Sequence, residues 1–355
     1  MFLQAEIVNV YFGTQGKGDN GIYHAKFDTK KGRLSNVKLS VTIDSPGFLA
    51  INPNKDILYA VAKGESVVVS YTIEKDGSLS FINKTPTNAE SSAHIAVHPS
   101  GNLLITAQYK AGAVAVFPID KTGSVQARSQ LIKHEGGAKV IGRRQDSAHP
   151  HWTGFSPDGN YAFIPDLGLD QLVIYKVDHA KGRLLAHAKI DIAPGSAPRH
   201  MRFSNDARFI YLLNEISLTI STLAYDSKTG TVKLLNTTQT LSTEVKEKEV
   251  KNAASEILVH PNSKFMYSAN RGNDSVTVYQ VDAKSGKIKP LEVEAIRGSW
   301  PRSINLDPSG KWLLAAGQFS NTVAVFAIDA KSGELSLLNR NIITVPSPTC
   351  IVFSK

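Results

Sequence analysis

The chain has a single cysteine, Cys350, among its 355 residues. That count excludes an intrachain disulfide framework and any cysteine-rich metal site, and it fits a reducing compartment. No run approaches the ~20 apolar residues of a membrane helix, and residues 1–15 lack the basic start and apolar core of a signal peptide. Neither a membrane span nor an intact signal peptide is expected, and the expected location is the cytoplasm. Several chemical motifs are missing as well. There is no G-x-S-x-G nucleophile elbow, no glycine-rich phosphate loop or dinucleotide fingerprint after a strand, and no H-E-x-x-H set. Cys350 lies in the apolar string CIVF, where a thiol behaves as a small hydrophobe. Covalent catalysis, nucleotide chemistry and a bound metal or cofactor are therefore not expected.

Charge is plentiful but scattered. Lysine and arginine total 40 against 31 aspartates and glutamates, a net charge of +9, which raises the question of an anionic partner. The lysines are spread through turns such as Lys30-Lys31, Lys75, Lys121, Lys181, Lys228, Lys284 and Lys331, with no basic helix or aromatic-rich RNA-binding signature. Nucleic acid is not the expected partner; a small anionic molecule is. With 42% hydrophobic and 20% charged residues the chain can bury a globular core.

What the sequence does have is a repeat. Six segments share one plan, an apolar strand, a Pro/Asn/Gly turn and a second apolar strand: they start at Ser45, Ser91, Ser147, Ser196, Ala254 and Ser299. A seventh begins at Ser347 with SPTCIVFSK, and its missing strands match VNVYFGT from Val8, GIYHAKFD from Gly21 and GRLSNVKLS from Gly32. Each full unit continues into an alternating third strand, such as VTVYQVD from Val276, and a short outer one. Four antiparallel strands in roughly 50 residues is the signature of a β-propeller blade. The expectation is an all-β, seven-bladed propeller over residues 1–355 as one domain, its ring closed by N- and C-terminal strands sharing a blade. Two connections exceed the pattern: residues 126–146, with His134, Arg143 and Arg144, and residues 237–252, with the charged run Glu244 to Lys251, which reads as a solvated loop or short helix.

Blade topology turns sequence position into place. The residue before the first strand and the residue after the second meet on one face, beside the central channel. This rule pairs Ala93 with Gln108, His151 with Asp166, Arg199 with Glu215, Glu256 with Arg271, and Arg302 with Gln318. Turn and strand chemistry does not call for three arginines, His149, His151 and several carboxylates at one mouth. Cations with embedded carboxylates suit the binding of a carboxylate or phosphate, because guanidinium forks fix an anion's orientation. His94, His98, His200 and His260 lie in or beside strands and read as packed or turn histidines, His200 being kept as a candidate substrate contact.

The strings HPHWTGFSPDGNYAFIPDLGLD, APRHMRFSNDARFIYLLNE, SEILVHPNSKFMYSANRGNDSVTVY and PRSINLDPSGKWLLAAGQFSNTVAVF resemble blades of the propeller-type 6-phosphogluconolactonases and fungal carboxymuconate lactonizing enzymes. The likeness runs over essentially the whole chain, with AQYKAGAV around Gln108 as a departure. The resemblance implies an active site of a histidine, two arginines and a glutamate, matching His149 or His151, Arg199, Arg271 and Glu215. The expected reaction is metal-independent hydrolysis of a sugar-acid lactone, 6-phosphogluconolactone foremost. Arg199 and Arg271 would hold the substrate anion or the oxyanion, Glu215 would act as general base, and His149 or His151 as proton shuttle. Arg302, Asp166, Gln108, Gln318 and His200 are the expected further substrate contacts. The rival readings are a cycloisomerase that closes a lactone from a carboxymuconate-like dicarboxylate, and a non-catalytic propeller that binds a ligand or protein.

Overall fold

A computed structural model of the chain describes residues 7–16, 21–248 and 251–354. The segment before residue 7, part of the stretch read for a signal peptide, lies outside these residues, as do Glu249 and Val250 of the charged run. The strands form seven four-stranded antiparallel sheets. Blade 1 joins both ends of the chain: its innermost strand is Pro348–Phe353, followed outward by Ile7–Thr14, Gly21–Asp28 and Arg33–Thr42. Blades 2 to 7 follow in order, with innermost strands Pro46–Ile51, Ser92–Val97, Gly154–Phe155, Pro198–Phe203, Ala253–Val259 and Pro301–Leu306. The inner strand of blade 1 touches those of blades 7 and 2, so the ring is closed.

The second strand of each blade explains how the ring holds. In ILYAVA, Ile57–Ala62, the residues alternate between neighbours: Leu58, Ala60 and Ala62 pack toward blade 1, while Tyr59 and Val61 pack toward blade 3. A strand buried on both faces reads as a continuous apolar run, and its period of two divides the run between two interfaces. Seven apolar clusters result, one for each junction between adjacent blades. The blades approach closely near the axis. A Cβ on Gly13 would stand 2.4 Å from the carbonyl oxygen of Pro46 in the next blade, which leaves glycine as the residue that fits.

Cys350 belongs to the junction of blades 1 and 2, where its sulfur lies 3.4 Å from the backbone nitrogen of Leu49. Burial pushes its thiol up to about 12. The thiolate is the reactive form, so a disulfide reagent at neutral pH is expected to leave the native protein unlabelled and to titrate one thiol after denaturation. Rapid native labelling would place Cys350 on a mobile or exposed strand.

Of the two long connections, the first forms the strand Gln130–Lys133 and a single 3-10 turn at Gly142–Arg144. The second carries the exposed helix α1, Thr243–Lys248, closed by a Lys248–Glu244 ion pair of 2.6 Å. No described helix is long and apolar enough to cross a membrane.

Candidate functional site

On the face where each inner strand begins, the ladders carry equivalent pairs at or next to their ends, blade 6 adding Ala253 with Arg271 beyond its own. The equivalent pairs are Pro46 with Ala62, Ser92 with Gln108, Pro150 with Asp166, Pro198 with Asn214, Ala254 with Asn270, Pro301 with Gly317 and Pro348 with Thr14. One position further along the inner strand, the register is broken at Gly47, Ala93, Arg199 and Arg302. Such a bulge adds one unpaired residue and re-aims its side chain. His151 takes the same place in blade 4. From the second strands, the residues one past these pairs, Lys63, Tyr109, Glu215 and Arg271, reach the same opening. Together with Ser91, Lys110 and Arg144, residues Ala93, His151, Arg199, Arg302 and these four line a cleft of about 330 Å³.

Glu215 is the centre of the cleft's charge. Its Oε2 accepts from Arg199 Nη1 at 2.7 Å, and its Oε1 from Arg144 Nη2 at 2.7 Å and Arg271 Nη2 at 3.2 Å. Burial alone would raise its pKa, but the guanidinium groups of Arg271 and Arg199, with His151 and Arg144, hold the carboxyl well below its usual range. Arg199 also donates through Nε to Ser255 O at 2.8 Å, and Arg271 through Nη2 to Ala254 O at 2.8 Å. Backbone carbonyls of blade 6 thus orient both guanidinium groups. Arg199 Nη1 donates as well to His151 Nε2. An arginine can only donate, so His151 accepts on Nε2 and carries its proton on Nδ1. Burial, reinforced by the Arg199 charge, keeps this histidine neutral, its pKa well below the ordinary value.

The two histidines separate. His151 faces the cleft, its Nε2 4.0 Å from Glu215 Oε2. His149 stacks flat on Tyr109, ring centroids 4.4 Å apart, with Nδ1 2.9 Å from Tyr109 O. It is outside the cleft and supports one of its walls.

Other expected contacts fall elsewhere, mostly by one residue. Gln108 and Asp166 are themselves ladder partners, one position before Tyr109 and Leu167, and a shift of one residue in a strand turns the side chain to the opposite face. Gln108 is fully buried, its Oε1 accepting from Ser92 Oγ at 2.9 Å and its Nε2 donating to Thr106 Oγ1 at 2.7 Å. Asp166 accepts from the backbone nitrogens of His149, Gly168 and Leu169 at 2.7, 3.0 and 3.2 Å and meets His134 Nδ1 at 2.7 Å. It fixes the segment that carries His151. Gln318 donates to Gln15 O at 3.3 Å and does not line the cleft. Glu256 pairs not with Arg271 but with Arg202 at 2.9 Å, and it lies 3.1 Å from His200 Nδ1. His200 is buried below the cleft against His151, His94 and Phe48.

Lys63, Ser91, Tyr109, Lys110 and Arg144 are the cleft residues that the position rule did not name. Lys63 is the blade 2 equivalent of Glu215 and Arg271, so carrying the same count into that blade finds it. Arg144 comes from the connection of residues 126–146, which a repeat-based count does not cover. Among the described residues no group of three or more His, Cys, Asp or Glu side chains is arranged to hold a metal ion.

A family model described as "Lactonase, 7-bladed beta-propeller" matches residues 9–353. The chain is 33% identical over 347 residues to the 6-phosphogluconolactonase of Bacillus subtilis, covering 97% of each chain. It is 30% identical over 304 residues to that of Formosa agariphila, covering 83% of this chain and 84% of the relative. Among solved structures it superposes on the periplasmic gluconolactonase of Pseudomonas aeruginosa with a TM-score of 0.92, at 29% identity and 99% coverage of both chains. With sequence match, superposition and blade count in agreement, this chain belongs to the lactonase family of seven-bladed β-propellers.

Proposed function

We propose that this lactonase hydrolyses a sugar-acid lactone bearing a second, anionic group, with 6-phosphogluconolactone as its substrate. The observation that carries the reading is the charge of the cleft. Arg144, Arg199, Arg271, Arg302, Lys63 and Lys110 face a single carboxylate, Glu215. An excess of positive charge around one buried anion favours a ligand that brings negative charge. The names of the Bacillus and Formosa relatives supply the phosphorylated lactone.

Water attacking the ring carbonyl puts negative charge on its oxygen. Arg199 and Arg271 use their other nitrogens on Glu215 and on backbone carbonyls, leaving Arg199 Nη2 and Arg271 Nη1 for that oxyanion. One well-placed donor of this kind is worth ~3 kcal/mol. Glu215, ionised throughout the neutral range, orients the attacking water and takes its proton, its low basicity relieved as the arginines turn part of their charge to the substrate. Glu215 then returns the proton it took from the water to the ring oxygen that leaves, His151 beside it offering a neutral imidazole to relay that proton, and Arg302 contacts the substrate's anionic group. This chemistry uses side chains alone. No substrate contact is proposed for His149, Asp166, Gln108, Gln318 or His200.

Acid release from 6-phosphogluconolactone, followed in a pH-stat against the spontaneous blank, tests the reading, with loss of carboxymuconate diene absorbance as the cycloisomerase control. Rapid acid release and no diene loss are expected; the reverse would make the protein a cycloisomerase. The product anion should also bind. Millimolar 6-phosphogluconate is expected to raise Tm beyond the effect of sodium chloride at equal ionic strength, since a ligand of the native state stabilises by mass action. Equal shifts would remove the anion site.

A further inference from the structure

The cleft's charge is divided around the ring. Blades 4, 5 and 6, with the connection leading into blade 4, supply His151, Arg199, Glu215, Arg271 and Arg144, whose charges are mutually paired. The opposite arc runs from blade 7 past blade 1 to blades 2 and 3 and supplies Arg302, Lys63 and Lys110. Among the described residues no carboxylate pairs with any of these three, and no protein acceptor engages their side-chain nitrogens. Arg302 and Lys63 are half-buried, so two of the three cations are partly withdrawn from water without an ion-pair partner.

We propose that Lys63, Lys110 and Arg302 form a phosphate subsite that receives the anionic tail of the lactone and so sets which end of the substrate meets Glu215 and its arginines. The inference rests on the lactonase reading above and adds the groups that select the substrate. A phosphate monoester near neutral pH carries a charge of about −1.5 to −2 and three acceptor oxygens. Two ammonium groups and a guanidinium fork match that charge and oxygen count better than they match a carboxylate, with one charge and two oxygens.

The state of Lys63 supports the assignment. Burial, followed by the charges of Arg302, Arg199 and Lys110, pushes its ammonium group down to about 7. Glu215, Arg144, Arg271, His151 and Tyr109 are the remaining ionisable groups of the cleft. Lys63 is therefore partly uncharged in the empty cleft, and a dianion beside it draws it to the charged form. The sign of the pH dependence follows. The phosphate loses its second proton near pH ~6, which favours binding as pH rises. Lys63 loses its charge as pH rises through about 7, which opposes it. Because kcat/KM reports the free enzyme, its profile for the phosphorylated lactone should fall above pH 7.

The test compares kcat/KM for 6-phosphogluconolactone and for gluconolactone, each corrected for spontaneous hydrolysis, in wild type, Lys63→Met, Lys63→Arg and Arg302→Met. The expected result is a ~10- to 100-fold loss of preference for the phosphorylated lactone in the two methionine variants, as fits the loss of one charge-assisted contact to a phosphate. Lys63→Arg, permanently charged, should keep the preference and lose the fall near pH 7. An unchanged ratio in both methionine variants, or a fall near pH 7 that survives in Lys63→Arg, overturns the subsite; a later fall belongs to Arg302, which burial pushes down to about 9. So does a wild type that handles the unphosphorylated lactone equally well, though lactone hydrolysis itself then stands. A wild type inactive on both lactones takes down the substrate reading and the subsite with it.

Discussion

Replacing Glu215 by glutamine is expected to cut kcat by ~10²-fold or more and to lower Tm by several degrees. Glutamine keeps the volume of the side chain but turns one carboxylate oxygen into a donor. Every choice of orientation then fails. An amide nitrogen at the Oε1 position meets Arg144 and Arg271, and at the Oε2 position it meets Arg199, so a donor faces a donor either way. Three guanidinium groups also lose their shared counter-charge. Removing one partner of a buried ion network is strongly destabilising because the remaining charges stay desolvated. The loss is tempered here by the half-exposed Arg144, which can swing into water. The pH dependence has a definite sign. The carboxyl is held below its ordinary value of 4.5, so its stabilising contribution is complete above that value and is lost as pH falls through the lower folded value. The gap in Tm between wild type and variant should therefore be widest at neutral pH and close in strong acid. Stopped assays against the blank, with melting curves from neutral to acid pH, measure both effects. A variant with full turnover removes Glu215 from the chemistry and passes the base to His151. Full turnover with a lowered Tm leaves it as a counter-ion only.

Deleting residues 348–355 is expected to abolish the cooperative melting transition and to give aggregated protein. The cut removes the inner strand of blade 1, which pairs Phe353, Val352 and Ile351 with Val10, Tyr11 and Phe12. It empties two junctions at once, since Cys350 packs toward blade 2 and Ile351 toward blade 7. Polar ties go as well: Thr349 Oγ1 donates to Gly47 O at 3.0 Å, and Asn305 Nδ2 to Ile351 O at 2.8 Å. At ~1.5–3 kcal/mol for each buried side chain, the loss consumes much of the ~5–15 kcal/mol by which proteins of this kind are stable. The exposed edge of Ile7–Thr14 then offers a template for pairing between molecules. Size-exclusion chromatography and thermal melts decide the matter. An unchanged melting curve would mean that the ring closes without this strand.

The blades were legible because they repeat, and because strands buried on both faces leave runs such as ILYAVA and FMYSAN that have few other uses in a soluble fold. The split blade followed from counting strands at both ends. The cleft was legible only where the count from one blade to the next was in step. Arg199, Glu215, Arg271 and Arg302 stand at equivalent positions and come together. Gln108 and Asp166 were counted one residue early, and Glu256 one late; at period two, such an error exchanges a cleft wall for a blade interior. The bulges that re-aim Arg199 and Arg302 leave no mark in composition or spacing. Arg144 depends on the path of a connection that belongs to no repeat, and the separation of His149 from His151 depends on a stacking contact with Tyr109 from another blade.

The shared blade also has a consequence for the order of events during synthesis. The strand Ile7–Thr14 is made before every other strand of the ring, and Pro348–Phe353 only after all of them. At ~5–20 residues per second, roughly 20 to 70 s separate the two. Throughout that interval Val8, Val10 and Phe12 lack the junction with blade 7 that buries them in the finished ring. The period of greatest exposure to misassembly is thus set by the pace of the ribosome and by the length of chain between these two strands, and the making of Pro348–Phe353 ends it.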